Sequence, residues 1–192
     1  MLVNVKNIWA YMKNFIYTKE EFYIYQKSRY VAVESPATIK QVGENNVIDV
    51  LSFNDESYVK TFRHFISIGD KGYYAYVNGE CVHRSWVTRG PQKISFMSTY
   101  KINLTEYDVY VHYCATAENA RGMNIYPAVL VQIGKDFSDK NIYLLTLKSK
   151  DFANRAVEKA GFEKVKFVMI RRLLGFTRIS ETYLGYGARE GI

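Results

Sequence analysis

The stretch EYDVYVHYCATAENARGMNIYPAVLVQIGKDFSDKNIYLLTL, Glu106 to Leu147, decides the fold. Its opening EYDVYVHYCAT, Glu106 to Thr116, is dense in β-branched and aromatic residues and predicts a long strand. A polar ENARG turn ends it. Beyond the turn Ile125, Val129, Ile133 and Phe137 fall four apart on one helical stripe, and Pro127 sits in the first turn, where its missing N–H costs nothing. NIYLLTL, Asn141 to Leu147, is apolar on both faces, as a buried central strand must be. Two strands joined through a helix in one sheet run parallel with a right-handed crossover. The Arg121-Gly122 turn between strand and helix is an amide-rich junction of the kind that holds anions.

Upstream, GYYAYVNGECVHRSWV is two apolar runs joined by Asn78-Gly79, both of whose turn positions favour positive φ. It predicts an antiparallel hairpin over Gly72 to Val77 and Glu80 to Thr88. NDESYVKTFRHFI predicts a helix with Asn54 as N-cap and Tyr58, Phe62, Phe65 and Ile66 on its apolar face. EEFYIYQKS, Glu20 to Ser28, reads as a strand with Phe22 and Ile24 on one face and Tyr23 and Tyr25 on the other; Asn46 to Leu51 reads as a second, short one. RGPQKIS reads as a polar segment leading away from the hairpin. Downstream, SKDFANRAVEKAGF predicts a helix capped by Ser149 and stopped by Gly161, followed by strands KVKFVMIRR and FTRISETYL. The fold class is therefore mixed α/β (α+β): a mostly antiparallel sheet with one parallel pair, 106–116 and 141–147, flanked by helices.

Length and composition fit this reading. A chain of 192 residues with 48% hydrophobic and 23% charged residues can bury one full core, and no linker or repeat divides it. The expectation is a single domain with a core of about 47–184 and an N-terminal extension, 1–40, packed on it, its start an amphipathic helix. Two cysteines in apolar contexts and three histidines without ligand spacing predict no metal site and a reduced, cytoplasmic protein. MLVNVKNIWAYMKNFIY carries too many Asn and Lys residues for a membrane span. The net charge of +7 calls for an acidic partner: nucleic acid, an anionic membrane surface or a phosphorylated small molecule. Nucleic acid ranks last, since no helix-turn-helix, zinc or aromatic-basic stacking motif is present.

Three places in the chain resemble the GNAT superfamily of acyl-CoA-dependent N-acyltransferases. The hairpin YYAYVNGECVHRSWV is similar to that family's second and third strands. YCATAENARGMNIYPAVL is similar to its fourth strand, pyrophosphate loop and following helix. RAVEKAGFEKV is similar to the end of its fourth helix and the strand after it. A finer similarity, in His83-Arg84-Ser85, Arg121 to Pro127 and Glu158 to Phe162, is to a bacterial branch associated with cell-surface polysaccharide synthesis.

The resemblance implies that strands 106–116 and 141–147 splay into a V-shaped cleft holding coenzyme A. Backbone groups of Cys114, Ala115 and Thr116 would pair with the pantetheine amides, and amides of Arg121, Gly122, Met123, Asn124, Ile125 and Tyr126 would hold the pyrophosphate. The activity implied is transfer of an acetyl group from acetyl-CoA, without a metal, to an amine of a small metabolite or amino sugar. Two departures stand out. The family's loop runs Gln/Arg-x-x-Gly-x-Gly/Ala, whereas Asn124 and Tyr126 occupy the small-residue positions here, so Tyr126 must point away from a bound phosphate. Lys150 and Val157 stand where many members carry a pantetheine-binding Asn and a tyrosine general acid, with Asn154 out of register. Transfer of a different acyl group and a non-catalytic CoA-binding or interaction domain are the alternatives.

Acyl transfer to an amine needs a deprotonated nucleophile and a placed thioester. Period two puts Asp108, Tyr110, His112 and Cys114 on one face of the long strand. His112 is the first candidate for general base, with a structural role as the alternative. His83, sharing a face with Cys81 and Ser85, could line the acceptor pocket opposite it. Tyr110 and Tyr126 are the hydroxyls that could protonate the leaving thiolate. Cys114 fits packing better than nucleophilic attack, and Asp108 could bind an amine or be solvated. The acceptor pocket falls to 1–40, the first helix and the loop Gly90 to Leu104, which carry no readable motif. An aromatic edge near Tyr183 to Tyr186 suits pairing with a second copy as a homodimer.

Overall fold

The computed structural model describes residues 17–96 and 99–185. The expected N-terminal amphipathic helix, and Tyr186 of the aromatic edge, lie outside the described residues. Among the described residues ten strands form: β1 (Tyr17–Lys27), β2 (Thr38–Gln41), β3 (Lys71–Val77), β4 (Glu80–Arg89), β5 (Gln92–Phe96), β6 (Tyr100–Leu104), β7 (Asp108–Thr116), β8 (Asn141–Leu147), β9 (Phe162–Leu173) and β10 (Phe176–Tyr183). Three α-helices accompany them: α1 (Glu56–Ser67), α2 (Ile125–Asp136) and α3 (Asp151–Lys159). Eight strands make one sheet in the order β10-β9-β1-β8-β7-β4-β3-β2, and β5 and β6 make a separate two-stranded ribbon. Every pairing is antiparallel except β7 with β8. The mixed, mostly antiparallel sheet with one parallel pair is the one read from the sequence.

Each face of the sheet is closed differently. On one face α2 and α3 cover Tyr25, Val87, Val111 and Leu144, with the stripe Ile125, Val129, Ile133 and Phe137 buried. On the other, α1 and a 3-10 helix at Val47–Ser52 cover Tyr74, Tyr76 and Trp86, while the β5-β6 ribbon covers Phe22, Ile24 and Tyr143. The ribbon and α1 cover different stretches of this second face, and the gap between them is where the site lies.

Several local expectations are corrected. Residues 46–51, expected as a strand, are mostly 3-10 helix, because Val47 and Val50 sit three apart and both point into the core. Helix α1 is capped by Asp55, whose side chain accepts from the Ser57 amide at 2.8 Å, while Asn54 accepts from the Arg84 guanidinium instead. Helix α3 starts after Lys150 with no side-chain cap. The polar segment after the hairpin forms β5. Tyr17–Lys27, expected within a packed-on extension, is an internal strand between β8 and β9.

Candidate functional site

The parallel pairing of β7 with β8 lasts only from Asp108↔Asn141 to Val111↔Leu144. Beyond it β7 follows β4, with Arg84↔Ala115 and His83↔Thr116, while β8 follows β1, with Ile24↔Leu145 and Phe22↔Leu147. The two strands therefore diverge. Their facing backbone edges, His112 to Thr116 and Leu145 to Leu147, have no ladder between them.

A β-bulge starts the divergence. Between Trp86↔His112 and Arg84↔Ala115, Tyr113 and Cys114 oppose Ser85 alone, and Tyr113 takes a left-handed φ of 51°. Arg84 holds it there. Its guanidinium is buried, donates through Nε to Asn54 Oδ1 at 2.7 Å and through Nη1 to the Tyr113 carbonyl, and lies 4.4 Å from the Tyr58 ring centre. Nothing in strand periodicity signals a bulge, so Arg84 was not singled out.

A cavity of about 800 Å³ runs through the splay. On the helix-covered side it is lined by Tyr126, Thr146, Lys150 and Ala153, and in the gap on the other face by Phe65, Ile68, Ile94 and Phe96. Tyr110, His112 and Cys114 lie along β7 between. On the helix side a 3-10 turn, Glu118–Ala120, leads through Gly122 (φ 83°) to Asn124, in the left-handed region at φ 55°, and then into α2. Among the described residues no backbone amide from Gly122 to Tyr126 donates to an acceptor. Such a run of free N–H groups at a helix N-terminus is a cradle for an anion. The Tyr126 ring turns inward, stacked on His83 at 5.4 Å, and does not cover those amides. Arg121 is exposed and pairs with Glu118 at 3.3 Å.

His112 is three-quarters or more buried and lines the cavity. Its Nε2 lies 2.8 Å from Thr88 Oγ1 and 3.4 Å from Asp70 Oδ2, and Thr88 donates its hydroxyl proton to Asp70 Oδ2 at 2.7 Å. The hydroxyl has one proton. Given to Asp70, it leaves the Thr88 oxygen to accept, so Nε2 of neutral His112 carries the hydrogen and Nδ1 keeps its lone pair. Tyr110 stacks on this imidazole, 5.8 Å away and 4° from parallel. Burial, reinforced by Cys114, raises the Tyr110 phenol well above its ordinary range, so it stays protonated. Thr88 was read only as a hairpin residue and Asp70 not at all; a turn aspartate meets His112 through tertiary packing alone.

His83 is not in the cavity. It is fully buried, with Nδ1 2.7 Å from Thr116 Oγ1 and Nε2 2.8 Å from Ser85 Oγ. Burial, then the Arg84 charge, push its pKa down to about 3. The expected acceptor-lining role is corrected: both ring nitrogens are used up by hydroxyls. A bulge in β4, where Ala75 pairs with His83 and Tyr76 with Cys81 so that Val82 is the extra residue, also separates Cys81 from it, placing that thiol in the cluster with Trp86. Cys114 has its pKa raised, by burial first, with Ser85 and Tyr126 hydroxyls beside it, which suits packing rather than attack. Asp108 is buried and structural, accepting from Thr105 N at 2.8 Å and Asn141 Nδ2 at 2.9 Å. Asn154 caps the end of β8, donating to the Leu147 and Lys148 carbonyls and accepting from Tyr25 and Thr146, while Val157 is in the core.

No protein-family model matches the chain, and no curated protein matches it either. Solved structures do. A GNAT-family acetyltransferase from Colwellia psychrerythraea superposes with a TM-score of 0.63 at 14% identity, over 86% of this chain and 60% of that one. A GCN5-related N-acetyltransferase-like protein from Streptococcus suis gives 0.57 at 11% identity, over 87% and 66%. The chain has the GNAT fold. A GCN5-related glucosamine N-acetyltransferase region of a fungal multi-domain GH3 β-N-acetylglucosaminidase gives 0.58 at 11% identity, over 88% of this chain and 23% of that one. The GNAT fold here thus spans about 60% of the length of the Colwellia protein. Among the described residues no group of His, Cys, Asp and Glu could hold a metal, and no helix is long and apolar enough to cross a membrane.

Proposed function

We propose that the protein is an N-acyltransferase that takes an acyl group, most simply acetyl, from acyl-CoA and passes it to an amine. The observation that carries this reading is the run of free amides from Gly122 to Tyr126 beside two strands whose facing edges are unpaired. Coenzyme A presents a pyrophosphate, two pantetheine amides and a thioester in one extended molecule, and each fits one part of the cleft. Amides of Gly122 to Tyr126 hold the pyrophosphate. The open edges at Cys114 to Thr116 and Leu145 to Leu147 take the pantetheine amides as an added strand would. The thioester supplies the activated acyl carbon.

The side chains then manage protons. His112 Nδ1 takes a proton from the acceptor, its Nε2–H held by Thr88 and Asp70, which stabilise the imidazolium that forms. The amine nitrogen bonds to the acyl carbon and loses its second proton to solvent, the C–S bond breaks, and its electron pair leaves on sulfur. Tyr110, protonated at neutral pH, gives the thiolate its proton and recovers one from solvent. Amide and free thiol are the products, with one proton released per ammonium consumed. This role replaces that of the missing tyrosine at Val157.

Isothermal titration with acetyl-CoA and with CoA tests the reading. Micromolar binding is expected, weakened about tenfold or more by Met123→Glu, which sets a carboxylate among the amides. Absence of binding at millimolar ligand sinks it.

A further inference from the structure

The acceptor end of the cleft has a composition of its own. Resting on the acyltransferase reading above, we infer that the acceptor is a primary amine on an apolar body, aryl or branched alkyl, without a carboxylate or sugar hydroxyls beside the nitrogen. The walls on this side are Phe65 from α1 and Ile68 at its C-cap, Ile94 and Phe96 from β5, with Leu145 and Leu147 from β8. Burying an apolar body here is favourable in proportion to area; burying a sugar is not, because each hydroxyl needs a partner. Apart from the Asp70-Thr88-His112 cluster and the Tyr110 and Tyr113 hydroxyls, the polar side chains lining this side are Gln92 and Ser95.

The cluster itself selects a cation. Asp70 is nearly enclosed, at 5% side-chain exposure, and its Oδ2 carries both the Thr88 bond and the His112 approach. Oδ1 has no hydrogen-bond partner among the described residues. An ammonium group supplies it, and aromatic rings complete the setting: Phe65 lies 5.1 Å from His112 and 5.0 Å from Tyr113. A carboxylate on the adjacent carbon would be brought against the Asp70 carboxylate, so amino acids are rejected while their decarboxylated counterparts are accepted.

The test compares three amines with acetyl-CoA, following thiol release: 2-phenylethylamine, phenylalanine and glucosamine. Phenylalanine keeps the aryl body and adds only the carboxylate. The expected kcat/KM for 2-phenylethylamine exceeds each of the others by on the order of 100-fold. Asp70→Asn should lower turnover of 2-phenylethylamine and narrow its lead over phenylalanine, with CoA affinity and thermal midpoint as checks on folding. If CoA binds but 2-phenylethylamine is used no better than the other two, or none is used, the amine class is overturned and the cofactor reading stands. If CoA does not bind, both fall.

Discussion

His83 is a base kept neutral by burial, with the Arg84 charge beside it. Thr116 and Ser85 hold both its nitrogens, and Tyr126 covers a face of the ring. With a folded pKa of about 3 against an ordinary 6.5, the unfolded chain binds more protons than the folded one between those values. Stability attributable to neutral His83 is therefore complete above about pH 6.5 and lost as pH falls toward 3, with a limiting slope of about 1.4 kcal/mol per pH unit. Urea unfolding from pH 7 to pH 4 should lose stability more steeply in the wild type than in His83→Gln, by up to that slope; equal slopes would mean that His83 is not buried neutral. His112 is its opposite, with one nitrogen held and one left over. His112→Gln should lower kcat by about 100-fold or more and leave CoA affinity within twofold, because the side chain acts on the proton and not on the cofactor. Sequence placed His112 correctly on the strand and His83 wrongly in the cleft, since alternation gives a side chain's face but not what lies over it.

At the scale of elements, the cleft depends on a single inserted residue in β7. Period-two reading assumes an unbroken ladder, and a bulge is a local exception that no residue type announces, so the divergence was expected from resemblance alone and its cause, Tyr113 held by Arg84, was not. The hairpin at Asn78-Gly79 and the stripe on α2 were legible because turn chemistry and helical spacing are local. The β5-β6 ribbon was not, because it makes a wall by packing against β1, β8 and β9, far away in sequence. Arg84→Met should cost about 2–4 kcal/mol, leaving the Tyr113 carbonyl and Asn54 without their donor. If the bulge relaxes as well, β7 straightens onto β4 and CoA affinity falls with stability. Equilibrium unfolding paired with CoA titration reads both; a stable variant with unchanged affinity would show that the bulge holds without Arg84.

For the whole molecule the decisive feature is that the first described strand is an inner one. β1 lies between β8 and β9, with Phe22 and Tyr25 wholly buried on opposite faces. Phe22 meets Phe96 at 4.8 Å and Tyr100 at 5.3 Å, so β1 also anchors the ribbon that walls the acceptor side. On the other face the Tyr25 hydroxyl reaches Asn154 at 3.1 Å and Glu158 at 3.2 Å, tying the sheet to α3. A core of 47–184 would leave β8 and β9 facing across an empty strand position, with unpaired edges and bared apolar faces. A chain beginning at residue 28 should therefore fail to fold, and addition of a peptide of residues 15–28 should restore native circular dichroism. The finer consequence concerns function: Phe22→Ala should cost about 3–5 kcal/mol and loosen the ribbon. In whatever fraction stays folded, KM for the amine should rise while CoA affinity holds, because the ribbon touches only the acceptor end. An equal loss of both would mean that the two ends of the cleft are not separately built.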